Sequence, residues 1–436
     1  MSPIAFDAAP TFAEAPTLDV IAAPVPAASL PPSTLLFPSR LCSGERYYIV
    51  ASGLGATTRS VEALLRWASP QAVCVGVGDA APSNVTRVLF EPDALLRRQQ
   101  LVHGGEDAES VRVMPIPAGY PWAFWDTWAI FADRPDLLAH PGSFDAYQHF
   151  VCRSPYLGGE SNVARLTDWN ALRAGSLYWH EARSVFDARS GELHQVRNAL
   201  ADDRSRATFD MAIASDPEQL WRHYMSTVFA TTDYLTDSAP TTGEHVLNLG
   251  VFTGHEIPYF SSLVGPTGVV HNVDPAGHDL LSDYARAWVG SYPHMFREAR
   301  FAAAATAGTA AFRSYPDGQW CRDLDGSAST RLPLATLDDY VLAANIPAVG
   351  FVKIDVEGME FDALDGMRDT VRRDRPTISL AIYHEADHMW RLPLHLMEQL
   401  QGYRFYVSHS SPVRWETVLT AVPNERPRRG LRQSPL

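Results

Sequence analysis

Between Gly243 and Pro423 the sequence repeats one pattern: a short apolar run, a turn carrying glycine or an acid, then a stretch with helical spacing. HVLNLG, GVVHNVDP, GFVKID and TISLAIY read as strands. Runs this continuously apolar must be covered on both faces, the situation of parallel strands with helices on either side. HEIPYFSSLVG, LPLATLDDYVLAANI and FDALDGMRDTVRRD read as the covering helices, the first stopped at Gly265. The closing runs YRFYVSH and ETVLTAV are separated by a short polar stretch and predict an antiparallel pair. Residues 241–423 therefore predict an α/β fold, a Rossmann-like, mainly parallel sheet with a terminal antiparallel hairpin.

A chain of 436 residues holds more than one ordinary domain. RYYIVASGLGATTRSVEALLRWASPQAVCVGVGD reads as strand, glycine turn, helix and strand, which predicts an N-terminal Rossmann-like α/β domain over 36–183. Gly53 and Gly55 make half of a dinucleotide fingerprint, but its third position is Thr58; Asp79 ends the second strand. A tight turn without a ligand is the plainer reading there, a bound nucleotide the other. The aromatic run YPWAFWDTWAIF reads as core or domain interface, with a sugar platform as the alternative. Residues 184–240 read as a helical bridging segment, 1–35 as a disordered Ala/Pro-rich leader, and 424–436, with RPRRGLR, as a solvated basic tail.

The net charge of −14 argues against nucleic acid as the main partner. The four cysteines are scattered, with no CxxC pair, so neither a disulfide framework nor a thiolate metal site is expected. No apolar run suits a membrane span, and no basic residue precedes Arg40 as a signal peptide would require; a cytoplasmic protein is expected. HEADH, residues 384–388, matches the H-E-x-x-H zinc pattern, but His384 directly follows an apolar strand rather than sitting within a helix. The extended pattern would need Gly at 391 and His at 394, where the chain has Arg391 and Leu394, so no metal site is expected.

In an open α/β sheet, ligands sit beyond the carboxyl ends of the strands, and there the chemistry-bearing residues collect. Gly250 and Gly254 mark the turn after HVLNLG, and Asp274 ends the next strand, placed to take the two hydroxyls of a ribose. Gly-x-x-x-Gly with a downstream acid suits S-adenosylmethionine better than a dinucleotide, because no pyrophosphate has to be cradled. Asn248 stands two residues before the first glycine. Lys353 is the only lysine among 36 basic Lys and Arg residues. Alternation places it on one face with Asp355, where a compact ammonium differs from a planar guanidinium. Glu357 follows in the turn; Glu360, on the next helix, is expected to point away. His384 ends the neighbouring strand and faces the same crevice, where a histidine of near-neutral pKa can take a proton from a hydroxyl.

STRLPLATLDDYV, FVKIDVEGMEFDALDGM, PTISLAIYHEADHMWRLPLHLMEQL and YRFYVSHSSPVRWETVLTAVP occur in this order, and with them the sequence over about 196–423 resembles the FkbM-type S-adenosylmethionine-dependent methyltransferases. The N-terminal domain resembles them only loosely. The resemblance implies a class I methyltransferase fold and methyl transfer, usually to a hydroxyl oxygen of a sugar or polyketide. The expected site is then Asn248, Gly250, Gly254, Asp274 and Asp355 for the cofactor, with His384, Lys353, Asp355 and Glu357 for the reaction. The family normally carries Asp where this chain has Asn248. The competing expectation is a non-catalytic module binding S-adenosylmethionine or a nucleotide-sugar. A small-molecule or glycan acceptor, no nucleic acid, no membrane and a homodimer are the expected partnerships.

Overall fold

The structure, a computed structural model, describes residues 181–227 and 233–428 apart from 255, 282, 315–319, 324–327 and 412, together with 178, 179 and short stretches between 44 and 113. The leader, Gly53, Gly55, Thr58, Asp79, the aromatic run and the tail beyond Arg428 lie outside the described residues. At the N-terminal end, β1 (Arg46–Val50), β2 (Val73–Gly78), β3 (Thr86–Leu89) and β4 (Val111–Val113) form a small, wholly parallel sheet in the order β2-β1-β3-β4.

Four helices follow: Arg183–Ala188, Ser190–Ala199, Asp203–Ala214 and Pro217–Thr227. The chain then runs through β5 (His245–Leu249), β6 (Val269–Val273) and β7 (Phe296–Ala299). Four short strands come next, β8 (Ala302–Ala303), β9 (Gly308–Ser314), β10 (Trp320–Arg322) and β11 (Thr330–Ala335). The last four are β12 (Val349–Ile354), β13 (Thr377–Ala381), β14 (Tyr403–His409) and β15 (Thr417–Pro423).

Seven of these strands make one sheet in the order β14-β15-β13-β12-β5-β6-β7. Only β15 runs against the others, pairing antiparallel with β13 on one side and β14 on the other. The terminal hairpin is present, with its second strand inserted between β14 and the parallel strands. This is the class I sheet that the family resemblance implies. Its order reverses between β5 and β12, and that switch point is where an α/β sheet opens a crevice. β12, β13 and β15 are buried at every residue, as two-sided cover demands.

The helices before β5 share this sheet's core: Phe186, Leu193, Val196 and Phe209 belong to the same buried cluster as Leu380, Phe405 and Val407. Leu200 bridges Phe405, and Ala201 N donates to Phe405 O at 2.8 Å, covering the edge strand β14. Asp202 caps the helix Asp203–Ala214, accepting from Ser205 N at 2.7 Å.

The structure departs from the sequence reading in four places here. LPLA belongs to strand β11, and the helix begins at Leu337, capped by Thr336 Oγ1, which accepts from Asp339 N at 3.0 Å. FDALDGMRDTVRRD is two helices, Glu360–Asp365 and Arg368–Asp374. The second starts afresh because Asp338, from another helix, accepts from Asp369 N at 3.0 Å and Thr370 N at 2.8 Å. Strands β8 to β11 form a separate sheet, β10-β9-β11-β8, which the sequence reading lacks. The tail is not solvated at its start. Arg426 donates to Glu244 at 2.7 Å, and Arg428 to Asp202 at 2.8 Å and to the buried Asp237, which Arg204 also holds. Among the described residues no helix is long and apolar enough to cross a membrane.

Candidate active site

The crevice at the switch point is built on the turn that leaves β5. Gly250 has φ +73°, and a Cβ there would lie 1.6 Å from the Asp355 carbonyl oxygen, so the turn presses directly on the end of β12. Only glycine permits that approach. Gly254, at φ +69°, is required by packing instead: a Cβ would meet Leu281 at 2.5 Å. Asp274, just past β6, accepts from Val251 N at 2.9 Å, Phe252 N at 3.3 Å and Ala276 N at 2.8 Å. Its carboxylate therefore fixes the glycine turn while standing at the crevice edge.

Beneath the turn the strand register aligns Asn272, Asn248, Lys353, Ser379 and Thr420 across five neighbouring strands. This is a buried polar row inside an apolar sheet, and its members bond along it. Asn248 Nδ2 donates to Asn272 Oδ1 at 3.0 Å, and the Ser379 and Thr420 hydroxyls share a hydrogen bond at 3.1 Å. Asn248 is fully buried, its amide turned along the sheet.

Lys353 explains why the chain keeps a single lysine. Its Nζ donates to the Gly250 carbonyl, stands 3.4 Å from Asp355 Oδ2 and 3.6 Å from Glu256 Oε1, and lies 5.0 Å from the Tyr234 ring centroid. Burial opposes its charge, but Asp355 and Glu256 outweigh burial and hold its pKa above the ordinary value. A compact ammonium meets these partners in different directions, where a planar guanidinium would not fit the same space. The only lysine is thus a cation that ties the glycine turn to the end of β12.

His384 sits in the loop after β13, with Asp355, Glu357 and Glu360 around it. Nδ1 is 2.8 Å from Glu360 Oε1, while Nε2 is 3.3 Å from Asp355 Oδ1 and 3.8 Å from Glu357 Oε2. Burial disfavours the imidazolium, yet Glu360, Asp355 and Glu357 together hold the His384 pKa well above the usual histidine value. Asp355 divides its oxygens between two cations, and although burial opposes it, Lys353 and His384 pull its carboxyl well below the usual range. Tyr383 also donates to Asp355 Oδ1 at 3.3 Å. Glu357 holds a left-handed φ of +51°, followed by Gly358 at +96°, and this sharp turn brings its side chain back over the strand end.

Glu360 does not point away. It is fully buried, and Oε1 accepts from Val356 N at 3.1 Å and Gly358 N at 3.4 Å besides meeting His384. Its Oε2 stands 3.4 Å from His388 Nδ1, so both histidines of HEADH turn to one carboxylate. His384 lies in the loop and His388 opens the helix His388–Gln399, so no one helix face carries the pair. Among the described residues no group of three or more His, Cys, Asp or Glu side chains is arranged to hold a metal ion.

Residues 254–405 match the Methyltransferase FkbM domain. The family match covers this segment, residues 254–405, and not the whole chain. No curated protein matches the chain. Among solved structures, a methyltransferase FkbM from Methylobacillus flagellatus KT is 16% identical, covering 90% of this chain and 94% of its own, with a TM-score of 0.44. Fibrillarin from Aeropyrum pernix, solved with natively bound S-adenosyl-L-methionine, is 15% identical over 42% of this chain and 67% of its own, with a TM-score of 0.26. The O-methyltransferase TomG from Streptomyces achromogenes, solved with SAM, is 9% identical over 54% and 96%, with a TM-score of 0.27. The strand order of the sheet, not these likenesses, carries the fold assignment.

At the crevice, the residues singled out from sequence fall into two groups. Lys353, Asp355, Glu357 and His384 meet at one mouth, with Gly250 pressed against it. Asp274 stands beside the glycine turn; Asn248 and Gly254 serve the sheet and the packing beneath. Sequence reasoning turned Glu360 away from the site and did not single out Glu256. The signal for Glu360 was its place near the start of a helix that follows a Gly turn, where a carboxylate collects free N–H groups. The separate sheet supports the mouth from outside: Trp320, Leu332 and Leu334 pack with Val356 and Met359, and Arg322 pairs with Asp362 at 2.7 Å.

Proposed function

We propose that the protein is an S-adenosylmethionine-dependent O-methyltransferase acting on a hydroxyl of a sugar, glycan or polyketide-type small molecule. The observation that carries this reading is the mouth at the switch point. A buried histidine nitrogen stands between two carboxylates at the carboxyl end of β12, beside a glycine turn that leaves no room for a side chain. These residues fit the cofactor. Asp274 is placed for the ribose hydroxyls, Gly250 lets the turn seat against the end of β12, and the excess of carboxylates suits a ligand with a positive centre. S-adenosylmethionine supplies a methyl group carried on a positively charged sulphur.

The chain's own groups then have distinct duties. Asp355 and Glu357 orient His384 Nε2 and can accept a hydrogen bond from an acceptor hydroxyl. His384 takes the hydroxyl proton, which requires a neutral imidazole. Its surrounding carboxylates favour the charged form, so a positive charge entering beside Asp355 and Glu357 lowers the histidine pKa toward the working range. Base strength is thereby linked to occupancy by a cation. Lys353 keeps the Gly250 turn seated, so that orientation rather than flexibility sets the reacting distance.

Calorimetric titration of the full chain with S-adenosylmethionine and S-adenosylhomocysteine tests the cofactor, with Asp274→Asn alongside. Binding at about micromolar Kd, weakened at least about tenfold in the variant, is the expected outcome. No heat up to about millimolar ligand refutes the reading. Methyl-labelled cofactor with a panel of sugars and polyols then tests the reaction. A methoxy product that His384→Gln abolishes supports it; methyl appearing on nitrogen or carbon overturns the oxygen assignment.

A further inference from the structure

We propose that Glu360 is a positioning residue, whose buried carboxylate fixes His384 with its proton on Nδ1 and its Nε2 toward Asp355 and Glu357. This rests on the reading of His384 as proton acceptor. A carboxylate can only accept, so the 2.8 Å contact between Glu360 Oε1 and His384 Nδ1 places the hydrogen on Nδ1. Nε2 is then the nitrogen that gains or loses a proton, and it is the one that faces Asp355 and Glu357. The same Oε1 accepts from Val356 N and Gly358 N, the backbone on either side of Glu357 in the turn that follows Asp355. One carboxylate thus sets both the ring and the two acids that flank its reactive nitrogen.

The groups facing the ring come from every element around it. Asp355 and Glu357 approach from the turn after β12, with Lys353 behind Asp355. Glu360 approaches from the helix Glu360–Asp365, and His388 lies on the far side of that carboxylate. The Tyr383 ring lies beside it, centroids 4.5 Å apart. Burial works against the Glu360 charge, but His384 and His388 keep its carboxyl below the ordinary value, so it remains an acceptor. Sequence pattern alone assigned the proton to neither nitrogen. The register of the helix against the loop after β13 does.

The test is nitrogen-15 NMR of the histidine-labelled full chain from about pH 6 to about pH 9, with and without S-adenosylhomocysteine. His384→Gln assigns the signal. In the wild type, Nδ1 is expected to stay protonated throughout while Nε2 carries the titration. In Glu360→Gln the midpoint is expected to fall by roughly one pH unit or more, because an opposite charge in contact is removed. A neutral wild-type ring that carries its proton on Nε2 rather than Nδ1 overturns the proposal without any variant. So does a midpoint in Glu360→Gln that equals the wild type's. A wild type that shows this tautomer yet binds no S-adenosylhomocysteine speaks against the methyltransferase reading, while the positioning of His384 stands.

Discussion

Replacing Lys353 by methionine keeps the unbranched stem and removes the charge at the centre of the site. The ammonium lies 3.4 Å from Asp355 Oδ2 and 3.6 Å from Glu256 Oε1, and its side chain is only 3% exposed. Removing one partner of a buried ion pair leaves the other uncompensated, which costs about 3–5 kcal/mol. The Gly250 carbonyl also loses its donor, so the turn loosens. Lys353→Arg keeps the charge but adds bulk where there is no space, an overpacking cost of about 1–3 kcal/mol. Urea unfolding followed by tryptophan fluorescence should therefore rank wild type above Lys353→Arg, and Lys353→Arg above Lys353→Met. The pH dependence gives an independent check. In the wild type Lys353 depresses the folded-state pKa of Asp355. Without Lys353 that value rises, the folded variant binds the proton more readily, and its deficit against wild type should shrink as the pH falls. A Lys353→Met protein within about 0.5 kcal/mol of wild type, or a deficit that grows on acidification, would refute the reasoning.

Gly250→Ala carries a handedness penalty of about 1–2 kcal/mol, and its Cβ falls 1.6 Å from the Asp355 carbonyl. S-adenosylhomocysteine affinity by calorimetry should drop more than about tenfold, and an affinity within about twofold of wild type contradicts the close-approach argument. His271 is buried against His245 and Tyr340, and burial with the His245 charge brings its pKa down to about 3. The unfolded chain therefore binds the extra proton between the ordinary value of 6.5 and about 3, so stability is lost as the pH falls through that window. The urea midpoint should fall from neutral pH to about pH 5, less steeply in His271→Gln; equal slopes would sink this assignment. Arg428→Ala leaves the buried Asp237 with Arg204 alone and should cost about 1–3 kcal/mol, with Arg428→Lys recovering part. An unchanged thermal midpoint would mean the tail contributes nothing to the fold.

The apolar runs HVLNLG, GVVHNVDP, GFVKID and TISLAIY were enough to determine a covered parallel sheet, because such runs have no other stable use in water. Once the strands are parallel, all their carboxyl ends lie on one side. That is why Lys353, Asp355, Glu357 and His384 could be placed at one mouth from sequence. The insertion of β15 between β13 and β14 was not legible, since an antiparallel hairpin reads the same whichever strand lies at the edge. Neither was the fresh start of the helix Arg368–Asp374, whose cap Asp338 belongs to a helix thirty-odd residues earlier. Glu360 shows the limit most clearly. Its helix has charged residues on several sides, and only packing of Ala363 and Leu364 into the sheet's core sets which of them turns inward. Arg428 and Asp237 are 191 positions apart and find each other only because the tail and the loop before β5 meet. Periodicity is a local property and fixes what each segment must bury; which buried surfaces meet, and so which charges become partners, is decided when the whole chain closes on one core.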